Sequence, residues 1–169
     1  FFGGMENTLE TEHFYVIGVN SIRRRYHTRG HISLSQIQEI DLKLQQAPAH
    51  KIKLIAAHQP FYTPPEHSHG VKDCPMLGRI ALEQWSQHGL NGLLHGHLHH
   101  AAVYDLNQIY QLGVSHPVLD IHAGTATSYR LHAGLHNSLN IILPNADVQH
   151  FSFNAETNRF ELMQQNTSD

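Results

Sequence analysis

The sequence predicts a mixed α/β fold in which a strand–helix–strand–helix–strand half is followed by a β meander, layered so that sheet packs on sheet. Three observations predict it. Short β-branched runs alternate with two amphipathic segments as far as His95. Beyond His95 the strand-like runs follow one another without helical periodicity, and Gly, Pro, Asn and Asp separate them.

His13 to Asn20 is aromatic and β-branched and closes on turn formers, which predicts a buried strand. Ser33 with Gln36 makes a capping box, and Ile37, Ile40 and Leu44 then recur at helical spacing until Pro48 stops the run. Lys51 to Ala57 predicts a short apolar strand ending directly at His58. From Gln59 to Met76 the chain carries Pro60, Pro64, Pro65, Gly70 and Pro75, so it is expected to loop over the strand ends. Leu77, Ile80, Ala81 and Trp85 predict a second helix with Gly89 as its C-terminal cap. Asn91 to His95 then enters Gly96-His97-Leu98-His99 as a strand. Further strands are expected over Ala101–Leu106, Val118–His122, Leu139–Leu143, Val148–Phe153 and Arg159–Met163, with 164–169 a flexible tail.

The length of 169 residues suits one domain, and 40% hydrophobic content suffices for a substantial core. With 14 acidic against 11 basic side chains there is no electrostatic footprint for general nucleic-acid binding. The local run Arg23-Arg24-Arg25, near His27 and Arg29, is read as a solvated loop ahead of a phosphate contact. No stretch reaches the roughly 18 apolar residues of a membrane span, and polar Glu6, Asn7 and Thr8 interrupt any secretory core. A soluble, unexported, cytoplasmic chain is expected, with Phe1 a cut point in a longer protein. Cys74 has no partner for an internal disulfide and is expected to be a small, half-buried side chain without thiol chemistry.

The 17 histidines include many that stand alone, such as His13, His88 and His136. Clustering singles out three. His58 follows one strand and His97 and His99 follow another; strand alternation would put the latter pair on one face, and ligand sites gather at strand ends in α/β sheets. Neutral imidazoles suit Zn, Mn, Fe, Co or Ni better than Ca or Mg. Asp73, Asp105 and Asp120 are read as solvated or turn-capping. Thr125, Ser128 and Arg130 form a turn beside the site, with Arg130 suited to bidentate phosphate contact, and His67 and His69 lie in the overlying loop.

Ile55-Ala56-Ala57-His58-Gln59-Pro60, Gly92-Leu93-Leu94-His95-Gly96-His97-Leu98-His99, Gly124-Thr125-Ala126-Thr127-Ser128 and Asn137-Ser138-Leu139-Asn140, with Val16-Ile17-Gly18-Val19-Asn20-Ser21 upstream, together resemble the C-terminal half of the calcineurin-like metallophosphoesterases. The resemblance spans roughly residues 14 to 143. It implies a layered α/β/β/α sandwich of the metallo-dependent phosphatase type, with the chain forming the C-terminal part of one such domain. It also implies a centre of two divalent transition metals acting on phosphodiesters or phosphomonoesters through a metal-activated water. His58 and His97 would bind one ion and His99 the other. Gln59, where many relatives carry a second histidine, would act behind the ligands or on substrate, and Arg130 would contact substrate oxygens.

The family's N-terminal blocks, an Asp-x-His, a Gly-Asp and an Asn-His-Asp or Asn-His-Glu, are expected to occur nowhere in the 169 residues. No catalytic residue is therefore assigned, and the chain alone is expected to turn over poorly. The alternatives are a mononuclear metal-binding or structural module, and a non-catalytic partner that completes its fold beside another half. Such a half would leave a sheet face and strand edges uncovered, which favours a homo-oligomer or strand-exchanged dimer. Light scattering of the isolated chain should show self-association at high concentration; a clean monomer contradicts that expectation.

Overall fold

In the computed structural model, residues 8–22, 30–65, 73–129, 131 and 134–163 are described. Helix α1 (Leu34–Gln46) starts where the capping box predicts. Ser33 Oγ accepts from the Gln36 amide at 3.2 Å, while Gln36 Oε1 accepts from the Ser33 amide at 3.0 Å, so two orphan donors of the first turn are satisfied. The helix ends at Ala47 because the residue before Pro48 is driven into extended backbone. Ile37, Ile40 and Leu44 form its buried stripe. Helix α2 (Gly78–Ser86) has no side-chain cap and is held by what it buries, Ala81, Leu82 and Trp85. The fully buried Trp85 donates from Nε1 to the Ile37 carbonyl at 3.0 Å, joining the two helices. Gly89 turns the chain at φ +79° two residues beyond the helix cap, a conformation that favours glycine.

The strands β1 (Thr8–Glu10), β2 (Phe14–Gly18), β3 (Ile52–Ala56), β4 (Leu90–His95), β5 (Ala102–Asp105) and β6 (Leu119–His122) form one sheet in the order β1-β2-β3-β4-β6-β5. Its four inner strands are parallel and its two edges antiparallel. Strands β7 (Ser138–Ile142), β8 (Val148–Asn154) and β9 (Arg159–Leu162) form a second, antiparallel sheet. Two elements escape the sequence expectation. β1 is three exposed residues, too short to show a pattern. Leu106 opens helix α3 (Leu106–Tyr110) instead of ending a strand, because Asp105 caps it by accepting from the Asn107 amide at 2.9 Å.

Parallel register aligns Ile17, Ile55, Leu93 and Asp120 across the sheet. The first three share one buried cluster with Ile37, Ile40, Leu82 and Trp85, so this row faces the helices. Side chains two residues further along a strand face the same way, which brings His95 and His122 to the helix side as well. The second sheet meets the first at the end of β6: Asn140 Nδ2 donates to the His122 carbonyl at 2.9 Å, and the Ser138 amide to the Thr125 carbonyl at 3.1 Å. Gly124 lies in this junction, and a Cβ there would stand 1.8 Å from Ser138 Oγ and 3.1 Å from its Cβ. No helix among the described residues is long and apolar enough to cross a membrane.

Gly124→Ala should therefore destabilise the chain by roughly 1–3 kcal/mol, the usual cost of overpacking. Adding Ser138→Ala should recover part of that loss, and the denaturation midpoints of the single and double variants check it.

Candidate functional site

Because β3, β4 and β6 run parallel, their carboxyl ends open at one edge of the sheet. Hydrogen bonding continues just past them: the Val19 amide reaches the Ala56 carbonyl at 2.8 Å, Ala57 reaches Leu94 at 2.9 Å, and Ala123 reaches His95 at 2.8 Å. His58 stands two residues beyond β3. Its amide and that of Gln59 both donate to Ser21 Oγ, at 3.3 and 3.4 Å, while the Ser21 hydroxyl donates to Gln59 Oε1. This clamp fixes the turn that presents His58. Gln59 is 1% exposed, and its side chain is taken up by the Ser21 hydroxyl. Arg130, His67, His69 and the arginine run lie outside the described residues.

His97 and His99 are not brought together by strand alternation, since β4 stops at His95. Both adopt left-handed backbone, φ 66° and 55°, in the turn that follows. There His97 Nδ1 lies 3.2 Å from His58 Nε2, with the rings 77° apart. Two nitrogens on one ion at about 2.0–2.1 Å must stand about 2.9–3.4 Å apart for right-angle to tetrahedral coordination, so the pair already has ligand spacing. Burial first, then the charges of His97, His95 and His99, holds the His58 imidazole below its ordinary pKa and favours the neutral form that binds metal. His99 is thus near enough to act on His58 electrostatically. Asp73, expected to be solvated, is half-buried with Oδ1 3.4 Å from His97 Nε2, where a carboxylate can orient the ring. Neighbouring Cys74 is half-buried, and burial pushes its thiol up to about 11.

A second constellation lies underneath. Asp120, expected to be solvated or turn-capping, is 0% exposed. Its Oδ2 accepts from the Tyr62 amide at 3.1 Å and contacts His122 Nε2 at 3.1 Å, and its Oδ1 lies 2.9 Å from His95 Nε2. Burial by itself would raise the Asp120 carboxyl, but the hydrogen bond from His122 and the charges of His95 and His122 outweigh it and hold the group below the usual carboxylate range. His122 is lowered chiefly by burial, against the opposing pull of Asp120. The ligating atoms of His95, Asp120 and His122 all lie within 4.8 Å of one another, a spacing open to a divalent metal. Asp120-Ile121-His122 also spells an Asp-x-His, which corrects the expectation that the chain lacks one. The signal was present: an Asp and a His two residues apart on a strand share a face.

No protein-family model and no curated protein matches the sequence. Among solved structures, one match is the 2.05 Å crystal structure of a Staphylococcus aureus protein, provisionally named a 5′-nucleotidase, in complex with α-ketoglutarate. It is 14% identical with a TM-score of 0.46, and the match covers 96% of this chain and 28% of that one.

The lowered imidazoles of His58 and His122 are protonated more readily in the unfolded chain than in the folded one. Their stabilising contribution is complete above the unfolded value near 6.5 and is lost as pH falls through the folded values. Thermal unfolding followed by circular dichroism should show the midpoint falling between about pH 7 and about pH 5, with His122→Gln flattening the slope. A midpoint independent of pH in that window contradicts this.

Proposed function

We propose that this chain is the histidine-bearing part of a metal-dependent phosphoester hydrolase, folded as part of a layered α/β/β/α sandwich. His58 and His97 would hold one divalent transition metal and His99 a second. The observation that carries this reading is the 3.2 Å approach of His97 Nδ1 to His58 Nε2 at the carboxyl edge of a parallel sheet. It agrees with the motif order that resembles the metallophosphoesterases. When bound, a metal pair supplies charge neutralisation at the phosphoryl oxygens and an acidified water.

The chain's own residues contribute placement. The Ser21 clamp positions His58, the left-handed turn delivers His97, and Asp73 steers the far nitrogen of that ring. Bridging carboxylate and asparagine ligands of the family type would come from the longer protein. A single-ion module is the second reading, favoured because His58 Nε2 and His97 Nδ1, 3.2 Å apart, offer one position while Asp73 stands on the opposite nitrogen of the His97 ring.

Manganese or zinc titration by calorimetry should show His97→Ala losing a tight equivalent that the unaltered chain binds. Asp73→Asn should weaken that equivalent roughly 10- to 100-fold, the usual effect of removing a group that orients a ligand. Identical binding by His97→Ala and the unaltered chain sinks the proposal. Hydrolysis of a chromogenic phosphodiester should stay near background for this chain and appear when the longer protein is assayed.

A further inference from the structure

The buried group under the strand ends presents a chemical problem of its own. His95 Nδ1 faces the Gly96 carbonyl at 3.4 Å, an acceptor that suits the tautomer with its proton on Nδ1. That leaves the lone pair of Nε2 facing Asp120 Oδ1 across 2.9 Å. Two acceptors at that distance repel unless a cation lies between or beside them. The contact does not have the direction of a hydrogen bond: His95 Nε2 and Asp120 Oδ1 are both buried without a hydrogen-bonding partner. Each such atom ordinarily costs about 1–3 kcal/mol, so two facing one another call for a missing component.

The geometry points to a buried structural site for one zinc-class divalent ion, held by His95, Asp120 and His122. Ligand contacts of 2.9 and 3.1 Å match the spacing of donors around an ion at about 2.0–2.2 Å. The Gly96 carbonyl on the far nitrogen of His95 is the usual companion of a metal-bound imidazole. Two imidazoles and one carboxylate favour zinc, cobalt or iron(II) over calcium or magnesium. All three side chains are at most 1% exposed, which leaves no face for a substrate and makes the site structural. It uses none of the ligands proposed at the rim. Parallel pairing of His95 with His122, and their shared side of the sheet with Asp120, bring the donors together by strand geometry alone.

The test is cobalt(II) and zinc titration of the full chain carrying His58→Ala, His97→Ala and His99→Ala together, with metal content read by elemental mass spectrometry. One equivalent should remain, with visible d–d absorption for cobalt, and zinc should raise the thermal midpoint reversibly with chelator. Asp120→Asn in that background should abolish both effects. If Asp120→Asn fails to fold, His122→Gln serves for the same comparison. No bound ion and no zinc-induced shift in the triple variant overturns the proposal. So does an equivalent that survives both substitutions, since other histidines then hold it. Failure of the rim reading would appear differently, as a triple variant binding the same amount of metal as the unaltered chain.

Discussion

The parallel pairing of β3, β4 and β6 is the constraint on which both histidine groups depend. It places the ends of three strands at one edge, so chain segments distant in sequence leave the sheet side by side. The two helices make this possible by covering one face. Parallel strands need crossover connections, and α1 and α2 supply them between β2, β3 and β4 while burying Ile17, Ile55, Leu90 and Leu93. The interhelical bond from Trp85 to Ile37 keeps that layer in one arrangement. Packing, register and site are thus one chain of causes.

Within that frame the two groups are built by different means. The rim pair relies on irregular backbone: a left-handed turn carries His97 back toward His58, and the Ser21 clamp holds the opposite loop. Non-glycine residues reach that conformation at some steric cost, so the turn is sustained by its surroundings. The inner group relies on regular backbone, with Asp120 and His122 alternating on one strand and His95 paired across from His122. A carboxylate in a fully buried position is strongly disfavoured without partners. Asp120 is placed where two imidazoles and a backbone amide converge on it.

Much of the fold was legible because it is written in local patterns. The capping box at Ser33, the helical spacing of Ile37, Ile40 and Leu44, and the stop before Pro48 all operate within a few residues. Strands β2, β3, β4 and β6 carry short apolar runs bounded by turn formers and were found near their observed bounds. The exposed edge strand β1 and the five-residue α3 carry no such pattern. The placement of His58 beyond β3 and of His97 and His99 beyond β4 was legible from the strands that precede them. Asp73 and Asp120 were misjudged as solvated because burial of a polar side chain is decided by neighbours from other segments.

The sequence by itself determined the alternation of strands and helices, the edge at which histidines collect, and the Asp-x-His pattern on β6. Those follow from periodicity, capping and turn chemistry, which act over short spans of chain. Only the tertiary structure decided that His97 meets His58 through a left-handed turn, that Gln59 faces inward on Ser21, and that His95 joins Asp120 and His122 in the interior. The physical reason is register. The chain distance between β4 and β6 leaves open which residue lies opposite which, and one step of slippage would turn every ligand to the other face.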